Sequence, residues 1–181
     1  YLALTYSRIQ INPQATYYAK RAAHLFQQQH ALFNLKEAAL LRSIIYYSEK
    51  RWNESLEQSQ FVLQSPYETT QEKYQHAKAL HNIGIVLKEQ QRWEESLHYL
   101  TQSIALKQEL HDFAEIGFTL LITCLVYLGM EEYDLFQQTV QQLEEEYHEH
   151  LLPIHQALVH QVKGEYYNQM TKYREMQHEY L

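Results

Sequence analysis

Along most of the chain, apolar side chains recur every three or four residues, which is the spacing of one face of an α-helix. One such pattern covers Ala79–Leu87, and a second covers Leu97–Leu106. Only a short polar stretch, residues 89–92, separates the two. Two amphipathic helices joined so closely predict an antiparallel helical hairpin.

The hairpin pattern repeats every 40–41 residues. RWNESL at 51–56 returns as RWEESL at 92–97, and the aromatic anchors of four copies are Trp52, Trp93, Tyr133 and Tyr173. Eight or nine residues before each anchor comes a small residue: Ser43, Gly84, Cys124 and Gly164. Between the two comes a bulky residue: Tyr46, Leu87, Tyr127 and Tyr167. A single hairpin cannot bury both apolar faces, so we expect the copies to stack.

The most apolar run, Ile116–Met130, is 15 residues long and lies between two glutamates. A membrane span needs about 20 apolar residues, so the run predicts a buried helix and no membrane association. It is apolar on nearly every side. We therefore expect this stripe to line the groove and be covered by a ligand, to be covered by a helix missing from this fragment, or to lie in an interface with a second subunit: Phe118, Leu121, Ile122 and Leu125.

Composition narrows the classes of partner. The net charge is −7, and the sequence contains no run of Lys or Arg. We therefore expect that this domain does not itself bind nucleic acid. One cysteine excludes a disulfide framework and favours a reducing, cytoplasmic location. The chain begins with Tyr1 rather than Met, so we expect a piece of a longer protein.

Motifs for catalysis or metal binding are missing. A helical zinc site needs two histidines four residues apart, and pairs such as His148/His150 and His155/His160 lack that spacing. Gly-rich phosphate loops, nucleophile elbows and dinucleotide fingerprints do not occur. Cys124 lies within the apolar run, where a thiol is inert. The sequence therefore predicts no enzyme, no cofactor and no metal site.

The repeated columns resemble the tetratricopeptide repeat. Its motif falls on Leu80, Ile83, Gly84, Leu87, Trp93 and Ser96 in the best copy. The resemblance implies an all-α, right-handed superhelix of about nine to ten helices. Residues 1–181 would then form a single domain of about four and a half helix pairs, beginning with a partial pair at 1–30.

The period exceeds the usual 34 residues, so the helices are longer than standard. Together with Tyr17–Gln29 and Ala79–Leu87, this resembles the peptide-pheromone receptors of Gram-positive bacteria, of the Rap, PlcR and NprR types. That resemblance implies a cytoplasmic bacterial regulator in quorum sensing, whose output domain lies outside this chain. It also implies that a short signalling peptide binds in the concave groove.

In such a superhelix the first helix of each pair lines the groove. Aligning the copies places there Tyr47, Lys78, His81, Asn82, Ile85, Lys88, Glu89, Phe118, Leu121, Gln161 and Asn168, and also Glu37, Leu40, Leu41 and Ile44. The Asn82 amide could pair with a peptide backbone, and the lysines with a carboxylate. Alternatively, Asn82 faces solvent.

Three functions stay open at this point. The first is a peptide-binding receptor or regulatory domain. The second is a scaffold that binds a segment of a partner protein in the same groove. The third is the repeat domain of a Rap-type response-regulator phosphatase, with its catalytic residues elsewhere. A homodimer is compatible with each of them.

Overall fold

The computed structural model describes residues 12–29 and 31–179, and its described side chains are those of 13–29 and 31–171. The chain divides into two compact units, Tyr1–Leu110 and His111–Leu181. Each unit is helical in the part of the chain that the structure describes. That residues 1–181 form a single domain stays a prediction.

Unit 1 contains five described helices, joined by short connections. In chain order they are α1 (Asn12–Gln28), α2 (Leu32–Ser48), α3 (Trp52–Leu63), α4 (Thr70–Glu89) and α5 (Trp93–Glu109). Helix α2 packs against α1, α3 and α4, and α4 packs against α5. At the start of α4, the Thr69 hydroxyl accepts the Glu72 N–H, while the Glu72 carboxylate accepts the Thr69 N–H. This capping box fixes where α4 begins.

Unit 2 contains three α-helices and an irregular segment. These are α6 (Phe113–Gly129), α7 (Tyr133–Gln142), a π-helical turn (Leu143–Tyr147), a short 3-10 turn (His148–His150) and α8 (Pro153–Glu179). Both α7 and α8 pack against α6. The irregular segment also packs on α6, because Gly117 leaves room there for Tyr147 and Leu151.

The all-helical prediction is confirmed for the described residues, which contain no strand. The expected count of nine to ten helices is wrong, because the described residues form eight α-helices. Trp52, Trp93 and Tyr133 each begin a helix, as predicted. Tyr173 does not, since it lies within the 27-residue helix α8.

The three hairpins that form share one turn. Lys50, Gln91 and Glu131, each two residues before an anchor, have φ of 58°, 57° and 60°. The following N–H groups, those of residues 51, 92 and 132, donate to the carbonyls of the bulky column: Tyr46, Leu87 and Tyr127. This is a Schellman turn with a left-handed residue at C′. His111, between α5 and α6, also has a left-handed conformation, with φ of 54°. The left-handed residue therefore marks helix ends generally and does not alone set the 40–41 residue period.

The same turn does not form in α8 because of the residue at the turn position. Two residues before Tyr173 stands Thr171. A β-branched residue is strained in the left-handed region, more than Lys, Gln or Glu. Thr171 instead donates its hydroxyl to the Tyr167 carbonyl, 2.9 Å away, as helical threonines do. The chain therefore continues as one helix.

The small residues of the repeats, Ser43 and Gly84, lie where the first helix of a hairpin contacts the second helix. The Ser43 hydroxyl is 2.7 Å from Ser59 Oγ and 3.1 Å from Ser55 Oγ. In the next hairpin, Ser96 donates to the Gly84 carbonyl at 2.7 Å, and a Cβ on Gly84 would meet Leu100 at 2.6 Å. Gly164 departs from the column, because nothing lies within 4 Å of a Cβ placed there.

Candidate functional site

Helices α2 and α4 run side by side in the same direction. Near their beginnings, Gln75 Nε2 donates to Glu37 Oε1 at 2.9 Å and to the Phe33 carbonyl at 3.1 Å. Near their ends, the Tyr47 hydroxyl donates to Glu89 Oε1 at 3.0 Å. Two bridges so far apart along both helices hold the pair parallel and in a fixed register.

Along the length joined by these bridges, the two helices present matching strips of residues. Side chains seven and eleven residues apart share one side of a helix. We call the following set the α2–α4 face: Glu37, Ile44 and Ser48 on α2, with Lys78, Ile85 and Glu89 on α4. Each residue on α4 lies 41 positions after its counterpart on α2. Its apolar centre is open, since Ile44 is 46% exposed.

The Tyr47–Glu89 bridge is electrostatically asymmetric. Burial and the neighbouring Glu89 carboxylate raise the pKa of Tyr47 far above its usual value. Burial works to raise the pKa of Glu89 as well, but hydrogen bonds and charges outweigh it and lower that pKa. The Lys88 ammonium, 2.6 Å from Glu89 Oε1, is the strongest of these partners. The bridge therefore stays a neutral phenol bound to a carboxylate.

Asn82 lies where the two helices meet, and its amide is incompletely satisfied. Its Nδ2 is buried without a hydrogen-bond partner, while the residue as a whole is partly exposed. Nearby on α4, the Lys78 ammonium lies 4.9 Å above the Tyr74 ring, and His81 is buried. Ile85, Lys88 and Tyr47 are partly exposed. Asn82 is therefore a partly exposed side chain next to the α2–α4 face whose amide nitrogen is buried and unsatisfied.

The other four predicted residues lie in unit 2. Phe118 stacks on His155 of α8, with ring centroids 4.3 Å apart and planes 11° apart. Leu121 is buried and offers no surface to a ligand. Gln161 and Asn168 are exposed on α8. The apolar stripe is thus largely buried, and α8 of this same chain, rather than a missing helix, a ligand or a second subunit, packs on Phe118.

Sequence analysis missed several polar groups in unit 1. Gln75, which bridges α4 to α2, is fully buried, and so is Lys36. Burial and then the Lys36 charge lower the pKa of His76, whose ring contacts Tyr67 edge-on at 5.1 Å. The alignment of the repeats does not single out these residues, because their partners come from neighbouring repeats rather than from their own hairpin.

The structure offers no activated nucleophile at Cys124. Burial raises the pKa of that thiol to about 12. Within the described residues, no three His, Cys, Asp or Glu side chains are grouped to hold a metal ion. In the same part of the chain, no helix combines the length and the apolar character that crossing a membrane requires.

Comparisons with known proteins add no relative. The chain matches no protein-family model, no curated protein and no solved structure. The α2–α4 face is therefore interpreted from its own geometry.

Proposed function

We propose that this chain is a binding module and that its α2–α4 face holds a short extended peptide. The observation that carries the proposal is the open pair Ile44 and Ile85, set between polar groups on two helices in fixed register. Beside this pair, the partly exposed Asn82 has a buried amide nitrogen without a partner, and a rotation of that side chain towards the ligand would supply a donor for a peptide carbonyl.

The dimensions of the face suit a peptide of modest length. From Glu37 to Ser48 the helix rises eleven steps, or about 16 Å. An extended chain advances about 3.3 Å per residue, so about five residues fit along the face. Their apolar side chains would cover the two isoleucines. Lys78 and Glu89, at opposite ends of the strip on α4, would set the polarity of the ligand.

The wider proposal is a peptide receptor of the Gram-positive regulator type, built as a right-handed superhelix and controlling an output domain. It rests on the resemblance of the repeats. A scaffold for a longer partner segment would use the same face, and so would the repeat domain of a phosphatase. The length of the bound segment distinguishes a scaffold from a peptide receptor.

The test is selection from a phage-displayed library of random heptapeptides against the immobilised chain. Selected peptides are synthesised and titrated against the parent, against Ile44→Glu/Ile85→Glu, and against Leu135→Glu. Leu135 is an equally exposed apolar residue in unit 2 and serves as the matched control. Both isoleucines are at least partly exposed, so the variant should fold.

We expect the double variant to bind about tenfold more weakly, since covering the exposed 46% of Ile44 and the smaller exposed part of Ile85 contributes about 1–2 kcal/mol. Asn82→Ala should weaken binding about 5- to 150-fold, through the loss of one buried amide contact. Equal binding to the parent and the double variant would exclude the α2–α4 face. Failure to enrich any peptide would reject the peptide proposal.

A further inference from the structure

The core where α2, α3 and α4 meet ends at two basic side chains. That core is apolar and buried: Ala39, Leu40, Val62 and Ala79. One turn before it, α2 carries Lys36 and α4 carries His76. Both are buried, with 2% and 7% of their surface exposed. Lysine is almost never buried so fully without a compensating charge, so any second positive charge here is costly.

Glu72, one turn before His76 on α4, is a carboxylate whose charge acts on both side chains. It is already bound at the start of the helix, where it accepts the N–H groups of Glu68 and Thr69 and the Thr69 hydroxyl. Moving it towards His76 would undo that capping box. Glu72 therefore balances one buried positive charge but cannot form a close ion pair with a second.

The end of α3 and the connection that follows it lie against the His76 ring. Tyr67 contacts the ring edge-on, with ring centroids 5.1 Å apart. The backbone carbonyls of Val62 and Ser65 lie close enough to favour a protonated ring. The Lys73 ammonium lies 5.4 Å above the centre of the Tyr67 ring and is paired with a glutamate of α5. The imidazole is thus covered by an aromatic side chain and by backbone, which shield it from water.

Protonation of His76 is unfavourable while this end of the core is closed. Burial, and then the Lys36 charge, lower the pKa of His76 and outweigh the carbonyls and Glu72, which raise it. If α2 and α4 separate there, water reaches the ring and its pKa returns towards the ordinary value of about 6.5. The closed form is therefore favoured above about pH 6.5, and its advantage over the open form shrinks as the pH falls towards the lowered pKa.

A bridge that fixes the register of the α2–α4 face lies on the same turns of the two helices. On α2, Glu37 directly follows Lys36. On α4, Gln75 directly precedes His76. Gln75 Nε2 donates to Glu37 Oε1 at 2.9 Å and to the Phe33 carbonyl at 3.1 Å. A movement that separates Lys36 from His76 therefore also separates the two ends of this bridge.

We propose that His76 makes the pairing of α2 and α4 sensitive to acid. Its protonation beside Lys36 releases the bridge from Gln75 to Glu37. The bridge at the other end of the α2–α4 face joins a tyrosine to a glutamate and contains no histidine, so the two helices separate at one end only. A peptide on the face then loses the fixed register of the two strips, and its affinity falls. This last step rests on the function proposed above, whereas release of the bridge does not.

NMR of the free chain tests the release of the bridge. Two signals are followed from about pH 7.5 to about pH 5.0: the ring of His76 and the side-chain amide of Gln75. Histidines titrate within this range, whereas a glutamate of ordinary pKa, about 4.3, titrates below it. We expect the Gln75 amide to move towards the position of a solvent-exposed glutamine, with the same midpoint as the His76 ring.

Three variants identify the group responsible. In His76→Gln, which cannot be protonated, the Gln75 amide should not respond to pH. Lys36→Met keeps the buried stem and removes the charge, so it should raise the pH at which the His76 ring titrates. His98→Gln, the same change at an exposed histidine of α5, should behave like the parent. A Gln75 amide that stays fixed in the parent, or that moves equally in His76→Gln, would overturn the proposal.

Calorimetric titration of a selected heptapeptide that lacks Asp, Glu and His tests the effect on binding. We expect the parent and His98→Gln to bind about fivefold more weakly at the lower pH than at the higher one, and His76→Gln to bind equally at both. Equal binding by the parent at both pH values, with the bridge released, would overturn acid control of the face. If no heptapeptide binds at either pH, the peptide proposal fails, and the Gln75 amide alone decides whether acid releases the bridge.

Discussion

The close fit between Gly84 and Leu100 predicts that Gly84→Ala destabilises the parent protein but stabilises a variant in which Leu100 is already alanine. A Cβ on Gly84 would lie 2.6 Å from both Cγ and Cδ2 of Leu100, which is fully buried. Ordinary carbon contacts are about 3.5–4.0 Å, so the Leu100 side chain must move by about 1 Å. Gly84→Ala therefore overpacks the α4–α5 interface.

Two opposing effects determine how much Gly84→Ala changes the free energy of unfolding. Overpacking costs about 1–3 kcal/mol, whereas alanine improves helix propensity by about 1 kcal/mol. Gly84→Ala should therefore lower the free energy of unfolding by about 1 kcal/mol. In a Leu100→Ala background the clash is gone, and the same substitution should stabilise by about 1 kcal/mol. The coupling between the two positions is then about 2 kcal/mol.

Urea unfolding followed by tryptophan fluorescence measures this cycle. Both tryptophans, Trp52 and Trp93, lie in unit 1, so the signal reports that unit alone. Each variant is compared with its own background, which removes the separate cost of truncating Leu100. If Gly84→Ala had the same effect in both backgrounds, Leu100 would not occupy the space of the missing side chain.

Three further predictions concern single groups. Gln91→Gly should stabilise unit 1 by about 1 kcal/mol, because Gln91 has a left-handed conformation that glycine adopts without strain. The control Gln90→Gly, at a residue with φ of −84°, should not stabilise it. The urea midpoints of the two variants and the parent are compared. Burial and the charge of Lys36 lower the pKa of His76 in the folded state, so its contribution to stability is full above about pH 6.5 and falls as the pH drops towards the folded pKa. His76→Gln should flatten the pH dependence of the urea midpoint in that range. Cys124 should resist a thiol reagent until unit 2 unfolds, and a fast reaction of the native protein would contradict its burial.

Sequence periodicity predicted the hairpins because each depends on contacts within one repeat. The small residue, the bulky residue and the anchor of each copy lie within nine positions of one another, so their spacing reflects contacts within one hairpin. The helix starts at Trp52, Trp93 and Tyr133 follow from that short range. The tyrosine at 173 had the same column but not the same turn, because the conformational preference of Thr171 does not appear in a hydrophobic pattern.

The α2–α4 face was only partly predictable from the sequence. Aligning the repeats placed Ile44, Ile85 and Asn82 on one side of their helices. The bridges from Gln75 to Glu37 and from Tyr47 to Glu89 join residues about 40 positions apart. Such pairs depend on how repeats pack, which the alignment of single hairpins does not give. Burial of Leu121 has the same origin, since helix register alone does not show which side chains other elements cover.

The most direct test of the binding proposal is methyl and amide NMR of the full chain, titrated with a heptapeptide selected from the random library. We expect the shifted signals to cluster on the α2–α4 face, with the methyl groups of Ile44 and Ile85 and the side-chain amide of Asn82 moving most. Signals of the exposed Leu135 and Leu152, outside this face, should stay in place. Shifts concentrated on those two leucines, with Ile44 and Ile85 unmoved, would contradict the account.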